Sequence, residues 1–352
     1  MKRLVAILIA FAAVGLSHET LTTTVLFDRE IVRVLDKHCV MCHTEDGPSF
    51  PLMTYEQTWL QKRPIRADAI ARHMPPWAAV SGYGQFVNEN NLTLRETQFI
   101  ISWVEGLGPR NAGTVFTNTA TPGAARPKEV QAHTDFGTWH LGEPQLKRQL
   151  PANTIDPEVN EVRRSLIDLG LTSERRIRAL EFMPSDRRVI RAAFFTVQET
   201  GQWIGSWTPW YGFMSLPKET AYRLPPGSHV VAEIHYRGGK ERVVEQGTLG
   251  LFFADQTAAD LISDVVLENK TRLDADTYVV ALRPDIQPGV KSIEVSARKP
   301  DGGTEVLLFA KDIPVDWPTP YILKEPVRLP RGTVLSVTGT ARSTVSVYRA
   351  RR

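Results

Sequence analysis

The chain has 352 residues, of which 42 are Lys or Arg, 39 are Asp or Glu, and 42% are apolar. Its length predicts two or three domains at roughly 100–200 residues each. A charged fraction of 23% with nearly equal signs excludes an intrinsically disordered polar chain and a polybasic nucleic-acid-binding protein, so we expect no nucleic-acid partner. The only two cysteines, Cys39 and Cys42, are too few for a disulfide-stapled secreted scaffold.

The first 17 residues have the pattern of a secretory signal peptide. Lys2 and Arg3 form a basic tip, and residues 4–16 are apolar and are followed by small or polar residues. This apolar run is shorter than the ~20 residues that span a bilayer. We expect cleavage before His18 and a periplasmic or otherwise exported protein with no transmembrane segment. Retention of the run as a membrane anchor is the alternative.

Residues 25–109 are predicted to form a small all-α domain. The predicted helix over 64–73 is expected to end before Pro75, because proline cannot continue a helix. Apolar residues at helical spacing predict four helices, over 27–38, 55–60 and 64–73 and from the capping-box sequence Thr93-Leu94-Arg95-Glu96 to Gly108.

The composition changes after this helical segment. Residues 110–128 are rich in Gly, Ala, Thr and Pro, which predicts a linker. Short strands separated by turn residues then predict an all-β antiparallel sandwich region, jelly-roll-like, so that the protein is multidomain. We expect two sandwiches, over 129–224 and 225–352, with the boundary after Leu224 at a proline pair. The predicted strands are 176–182, 188–197, 229–236, 247–253, 277–282, 291–297, 305–310 and 333–337.

Cys39-Val40-Met41-Cys42-His43 is a C-x-x-C-H sequence. Two thiols at this spacing can each add to a vinyl group of haem, and the next imidazole can ligate the iron. A thioredoxin-type redox pair is one alternative, but it is typical of a βαβ setting. A zinc site is another, but it needs two more ligands, for which only His38 and His73 could be proposed. The sequence therefore predicts covalent haem c on Cys39 and Cys42, with His43 as an axial iron ligand.

The second axial ligand is predicted to be Met74. It lies in the sequence His-Met-Pro-Pro-Trp, where two prolines stiffen the turn and Trp77 offers an aromatic side chain to the porphyrin. A thioether opposite a histidine raises the reduction potential and suits electron transfer. His73 is the alternative ligand, whereas Met41 and Met53 are expected to serve in packing.

Residues 25–109 resemble a class I cytochrome c domain through CVMCHTEDGPSFPLMTYEQ, HMPPW and WVEGLGP. In a bacterial subgroup of that family, the cytochrome precedes a domain similar to copper type II ascorbate-dependent monooxygenases of the peptidylglycine hydroxylating type. Residues 130–350 resemble such a domain through RRIRALEFMPSDRRVIRAAFF, GSWTPWYGFMSLPKETAYRLPPGSHVVAEIHYRGGK and GTLGLFF. The resemblance implies a haem protein fused to a monooxygenase-like β module.

The copper ligands that this resemblance implies are mostly missing. The family's His-His pair falls at Arg191-Ala192, its His-x-His at His235-Tyr236-Arg237, and its late methionine has no counterpart after Met214. Arginine cannot supply a neutral donor to copper. We therefore expect the β module to lack copper, and His235 to be a hydrogen-bonded strand residue. Arg187, Arg188 and Arg191 are expected on a solvated strand face.

The sequence thus predicts an exported monohaem c-type cytochrome that exchanges single electrons with a redox partner protein. Its β module is expected to act in docking or scaffolding, with no catalytic residues of its own. The alternative is a copper-dependent monooxygenase that receives electrons from the haem, with a metal site rebuilt from His133, His140, His229 and His235.

Overall fold

The computed structural model describes residues 23–45, 49–111, 138–255, 260–285, 289–314, 316–338 and 342–349. The predicted signal peptide, most of the predicted linker and His133 lie outside these residues. The described chain is mostly antiparallel β-sheet with few helices, which confirms the prediction of a β-sandwich region. Among the described residues, no helix is both long enough and apolar enough to span a membrane.

The helices lie in the first third of the chain and enclose a core of their own. Thr93 caps the last helix with a capping box: its hydroxyl accepts from the Glu96 amide at 3.1 Å, and the Glu96 carboxylate accepts from the Thr93 amide at 2.8 Å. The core contains Phe27, Leu35 and Trp103. The helical elements are a π-helical turn at Phe27–Ile31, α1 Val32–His38, α2 Tyr55–Leu60, α3 Lys62–Ala71 and α4 Leu94–Glu105.

The strands follow from residue 146 onwards, and all eight predicted strands are present. Those that the sequence pattern missed are mostly short or lie at sheet edges. Within the described residues the strands are β1 Leu146–Gln149, β2 Asn153–Ile155, β3 Asn160–Asp168, β4 Arg175–Met183, β5 Ile190–Val197, β6 Trp203–Trp207, β7 Phe213–Ser215, β8 Thr220–Leu224, β9 His229–Arg237, β10 Val243–Glu245, β11 Thr248–Phe253, β12 Asp260–Leu267, β13 Lys270–Arg272, β14 Thr277–Asp285, β15 Ser292–Arg298, β16 Thr304–Lys311, β17 Tyr321–Leu329, β18 Val334–Val337 and β19 Arg342–Arg349.

The strands build two sandwiches, each with its own apolar core. In the first, the sheet β3-β9-β5-β6 packs against β1-β11-β4-β8, and alternate side chains of β5, β9, β4 and β11 meet between them. In the second, β13-β18-β15-β16 packs against β12-β19-β14-β17. A short parallel pairing of β8 with β12 makes the second sheet of each sandwich continuous with that of the other.

The expected boundary between the sandwiches at Leu224 is wrong. β9 and β11 follow Leu224 in sequence, yet β9 pairs with β3 and β5, and β11 pairs with β4 and β1. Pro225-Pro226-Gly227 is a turn between the two sheets of the first sandwich, and the named strands of the second sandwich begin at β12. Turn residues mark a reversal of the chain, and reversals occur within a sandwich as well as between two of them.

Residues 77–90 leave the helical core and pack on the second sandwich. Phe86 is buried in the second sandwich core and pairs with Leu323 in a β-bridge. Asn88 is buried as well, and its side-chain amide donates to the Pro320 carbonyl at 2.7 Å. The helices therefore do not form an isolated unit over 25–109, because this segment joins them to the β region.

Candidate functional site

The four residues predicted to hold haem, Cys39, Cys42, His43 and Met74, line one cleft. Its other wall belongs to the β region. The enclosed volume is about 160 Å³, below the ~300–1,000 Å³ of typical small-molecule pockets. A macrocycle seated here would part the walls or project from the open side.

The C-x-x-C-H sequence forms a tight turn directly after α1. The amides of Cys42 and His43 both donate to the Cys39 carbonyl, at 3.1 and 3.0 Å. The two half-buried thiols are not bonded to each other. Burial raises the pKa of Cys39 to about 12 and that of Cys42 to about 11. The reactive thiolate of a redox pair is therefore disfavoured, and the thiols stay protonated.

His43 is oriented by a backbone carbonyl. Its Nδ1 lies 2.9 Å from the Phe50 oxygen, and because a carbonyl only accepts, Nδ1 carries the proton. Nε2 is then the lone-pair nitrogen, as in metal-ligating histidines that donate their other ring N–H to a carbonyl. Burial lowers the pKa of His43, although its bond to Phe50 opposes the shift. The neutral imidazole that an iron ligand requires is therefore favoured.

Met74 borders the cleft and His73 does not. Met74 is 38% exposed in the loop after α3, whereas the His73 side chain is 67% exposed and its Nδ1 lies 3.5 Å from Asp68. Of the two residues considered as the second iron ligand, Met74 is the one whose side chain lines the cleft. Met53 packs against the helical core as expected, whereas Met41, which lies between the two cysteines, lines the cleft.

The expectation that Trp77 packs near a porphyrin is wrong. Trp77 is 5% exposed and packs in the second sandwich core, with its ring 5.1 Å from that of Tyr321 and 5.9 Å from that of Phe86. The aromatic side chains at the cleft are instead Trp210 and Trp317 of the β region, whose rings lie 6.4 Å apart. Local sequence around the C-x-x-C-H turn carries no signal for them, since they lie far away in the chain.

The expectation of a solvated face at Arg187, Arg188 and Arg191 is also wrong. All three line the cleft together with Arg237, and the Arg191 side chain is only 13% exposed. Burial lowers the pKa of Arg187 and of Arg191 to about 10, which leaves both charged at neutral pH. Arg187, Arg188 and Arg191 lie close together in the sequence. Their position across the cleft from the cysteines depends on the tertiary structure.

The histidines considered for copper do not meet. In the described residues, no three His, Cys, Asp or Glu side chains lie close enough together to hold a metal ion. His235 is half-buried on β9 and hydrogen-bonded, as predicted. Of the four histidines considered for copper, the three that the structure describes each contact a different carboxylate. His235 lies 3.3 Å from Glu233, His140 lies 2.8 Å from Glu181, and His229 lies 2.9 Å from Glu199.

No family model and no curated protein matches this chain. Weakly similar solved structures include the major capsid protein P2 of bacteriophage PM2, at 9% identity and a TM-score of 0.25 over 57% of this chain and 98% of that one. The PBSX exported protein XepA has 9% identity and a TM-score of 0.17 over 58% and 86%. The CUB1-EGF-CUB2 fragment of human MASP-1/3 has 9% identity and a TM-score of 0.15 over 57% and 99%. Scores this low carry no information about the cleft.

Proposed function

We propose that the chain is an exported monohaem c-type cytochrome that transfers single electrons. The observation that carries this proposal is the convergence of Cys39, Cys42, His43 and Met74 on one cleft. The hydrogen bond from His43 to Phe50 supports it further, because it leaves Nε2 available for iron. The C-x-x-C-H sequence and the signal-like first 17 residues point the same way.

Cys39 and Cys42 would attach the haem. The S–H group of each thiol would add across one vinyl C=C bond, so that sulfur would bond to one carbon and the hydrogen would go to the other. The electron count does not change in this addition. The raised pKa of both thiols keeps them in the reduced, protonated form until they react.

His43 and Met74 would ligate the iron. Bound haem supplies one-electron chemistry, because its iron alternates between ferric and ferrous states, and a thioether ligand favours the ferrous state. With His43 and Met74 both holding the iron, the bound group would supply electron transfer rather than oxygen chemistry.

The β region would shield and support the haem. Trp210 and Trp317 line the cleft, and the Trp210 indole donates to the Asn88 carbonyl at 3.1 Å, which ties this wall to the segment that follows Met74. A redox partner protein would exchange electrons with the haem at the rim of this cleft. No contact in the described residues favours the alternative of a copper-dependent monooxygenase.

The decisive experiment is expression of the full chain with a haem-ligation system, followed by mass spectrometry. We expect the mass of one haem on the native chain and none on the C39S/C42S double variant. Native protein without this mass would overturn the proposal. Iron and copper are counted on the same sample, since stoichiometric copper that His235→Ala abolishes would support the monooxygenase instead.

A further inference from the structure

A second groove lies between the two sandwiches. Residues of β7 and of the turn that follows it line one part of this groove, and residues of β17 together with Val87 line the other. It shares no lining residue with the cleft that contains the C-x-x-C-H turn. Its volume is about 540 Å³, which is within the ~300–1,000 Å³ of typical small-molecule sites.

A bulge in β17 shapes this groove. Along β14, the paired residue of β17 changes from Val327 directly to Ile322, so residues 323–326 bulge out opposite Val280. Val280 has no partner in β19 either. The backbone of β17 is held there by residues 85–87, through hydrogen bonds of 2.8 and 2.9 Å. Bulges re-aim side chains and are common next to active sites.

The floor of the groove is apolar. Met214, Val280 and Ile322 line it, are each at most 5% exposed and belong to the core of the first sandwich. Val87 lines the groove as well and is 45% exposed, so its aliphatic side chain is left in contact with water. An aliphatic chain laid along this surface would remove apolar area from water, which is favourable roughly in proportion to that area.

Two lysines line the groove, Lys218 after β7 and Lys324 on β17. Both side chains are exposed, and within the part of the chain that the structure describes neither ammonium group has an ion pair or a hydrogen bond. Glu325 is the one carboxylate among the lining residues. The excess of positive charge complements an anionic group of a ligand.

Tyr211 adds a hydrogen-bond donor to the groove. Its ring packs on that of Phe213 at 4.6 Å, and no described residue forms a hydrogen bond with its hydroxyl. Burial raises the pKa of Tyr211 to about 12, so the hydroxyl stays protonated at neutral pH. A protonated phenol that lacks a protein acceptor can donate to an oxygen of a ligand.

We propose that this groove binds an aliphatic carboxylate of the fatty-acid class, with its chain on the apolar floor and its carboxylate between Lys218 and Lys324. One apolar tail and one anionic head match the two kinds of lining residue. Tyr211 donates to the same head group. The proposal is independent of the haem site, because no residue of the cysteine cleft takes part in it.

Isothermal titration calorimetry of the full-length protein with decanoate, below its micelle concentration, tests the carboxylate site. The uncharged probe of the same chain length is 1-decanol. We expect one decanoate per chain, and about tenfold weaker binding of 1-decanol, because hydrogen bonds to a charged group are the stronger ones. The K218Q/K324Q variant should bind decanoate about tenfold more weakly and 1-decanol as the native protein does. K240Q, at an exposed lysine outside the groove, is the matched control and should equal the native protein.

The apolar part of the groove is tested by V87D. The added carboxylate faces both the chain and the head of the ligand, so decanoate binding should weaken about tenfold. V244D, at an exposed valine of β10 outside the groove, is its control. All five substituted residues are exposed, so the variants are expected to fold, which circular dichroism checks.

Native protein that binds no decanoate, or binds it no more tightly than 1-decanol, would overturn the proposal. Equal affinities of K218Q/K324Q and K240Q, or of V87D and V244D, would overturn it as well. None of these outcomes affects the haem assignment, which the mass of the native chain decides.

Discussion

The imidazole Nδ1 of His43 donates a 2.9 Å hydrogen bond to the backbone carbonyl of Phe50. Two residues further on, the Leu52 amide donates to the His43 carbonyl at 3.0 Å. The backbone of the loop after the C-x-x-C-H turn thus holds both the ring and the main chain of His43. An imidazole fixed in one tautomer before any metal arrives loses little freedom on ligation, which favours iron binding.

Replacement of Met74 by alanine should remove the thioether ligand and leave the covalent haem in place. We expect the ferric absorption typical of a His/Met haem to disappear and the reduction potential to fall, because a thioether stabilises ferrous iron. Optical spectra of the oxidised protein measure this. M53L, which changes a methionine of the helical core, is the control, and a native-like spectrum for M74A would disprove the ligand assignment.

Replacement of Trp77 by alanine should destabilise the second sandwich without altering the haem. The buried ring packs against Phe86 and Tyr321, and loss of a buried tryptophan costs about 3–5 kcal/mol. Urea unfolding measures the loss. A changed haem spectrum in folded W77A protein would show instead that this ring acts on the porphyrin.

Asn88→Ala should lower the stability of the contact between residues 77–90 and the second sandwich. The Asn88 side chain donates to Pro320 at 2.7 Å and accepts from the Ile322 amide at 3.1 Å, and both bonds are buried. Two backbone groups left without partners cost on the order of 1–3 kcal/mol each. Asn91, whose side chain donates to the Ser81 hydroxyl at 3.1 Å in an exposed hydrogen bond, is the control. Equal unfolding midpoints for N88A and N91A would show that the join contributes nothing to stability.

Acid should weaken the packing of α4 against α1 through Glu96. Burial raises the pKa of Glu96, but hydrogen bonds from Thr93 and Lys37 outweigh it and lower the pKa from 4.5 to about 2. A carboxyl whose folded pKa lies below its unfolded value stabilises the fold above pH ~4.5, and this stabilisation is lost as the pH falls toward 2. Solvent screens this partly exposed carboxylate, so the loss of unfolding free energy is smaller than the full shift implies, on the order of 1–2 kcal/mol.

Unfolding free energies measured from pH 6 to pH 2 check this expectation. Glu96→Gln should be less stable than the native chain at pH 6, and the difference should shrink as the pH falls. Glu105→Gln, at an exposed ion pair with Arg66, should change little. A constant difference between Glu96→Gln and native protein across this range would contradict the assignment.

Local patterns in the sequence were sufficient for the elements that short-range interactions decide. The capping box predicted at Thr93 begins its helix through hydrogen bonds between residues three apart. The C-x-x-C-H turn is equally local, since its hydrogen bonds join Cys39 to Cys42 and His43. Strand β17 escaped detection because Pro326 removes a ladder donor, and the structure places it at a register shift.

Tertiary structure alone decided which core each apolar residue enters and what faces the cleft. The large apolar side chain of Trp77 predicts burial, but it does not indicate that the core it enters is that of the second sandwich. Likewise, the sequence of Arg187 and Arg191 reveals their charge, whereas the pairing of β5 with β9 and the return of residues 77–90 set them opposite Cys42. The amino-acid sequence thus determined the C-x-x-C-H turn and the periodicity of each element. The partners of those elements depended on contacts between residues distant in the sequence, such as Ala193 with Ile234 and Phe86 with Leu323, which no local pattern encodes.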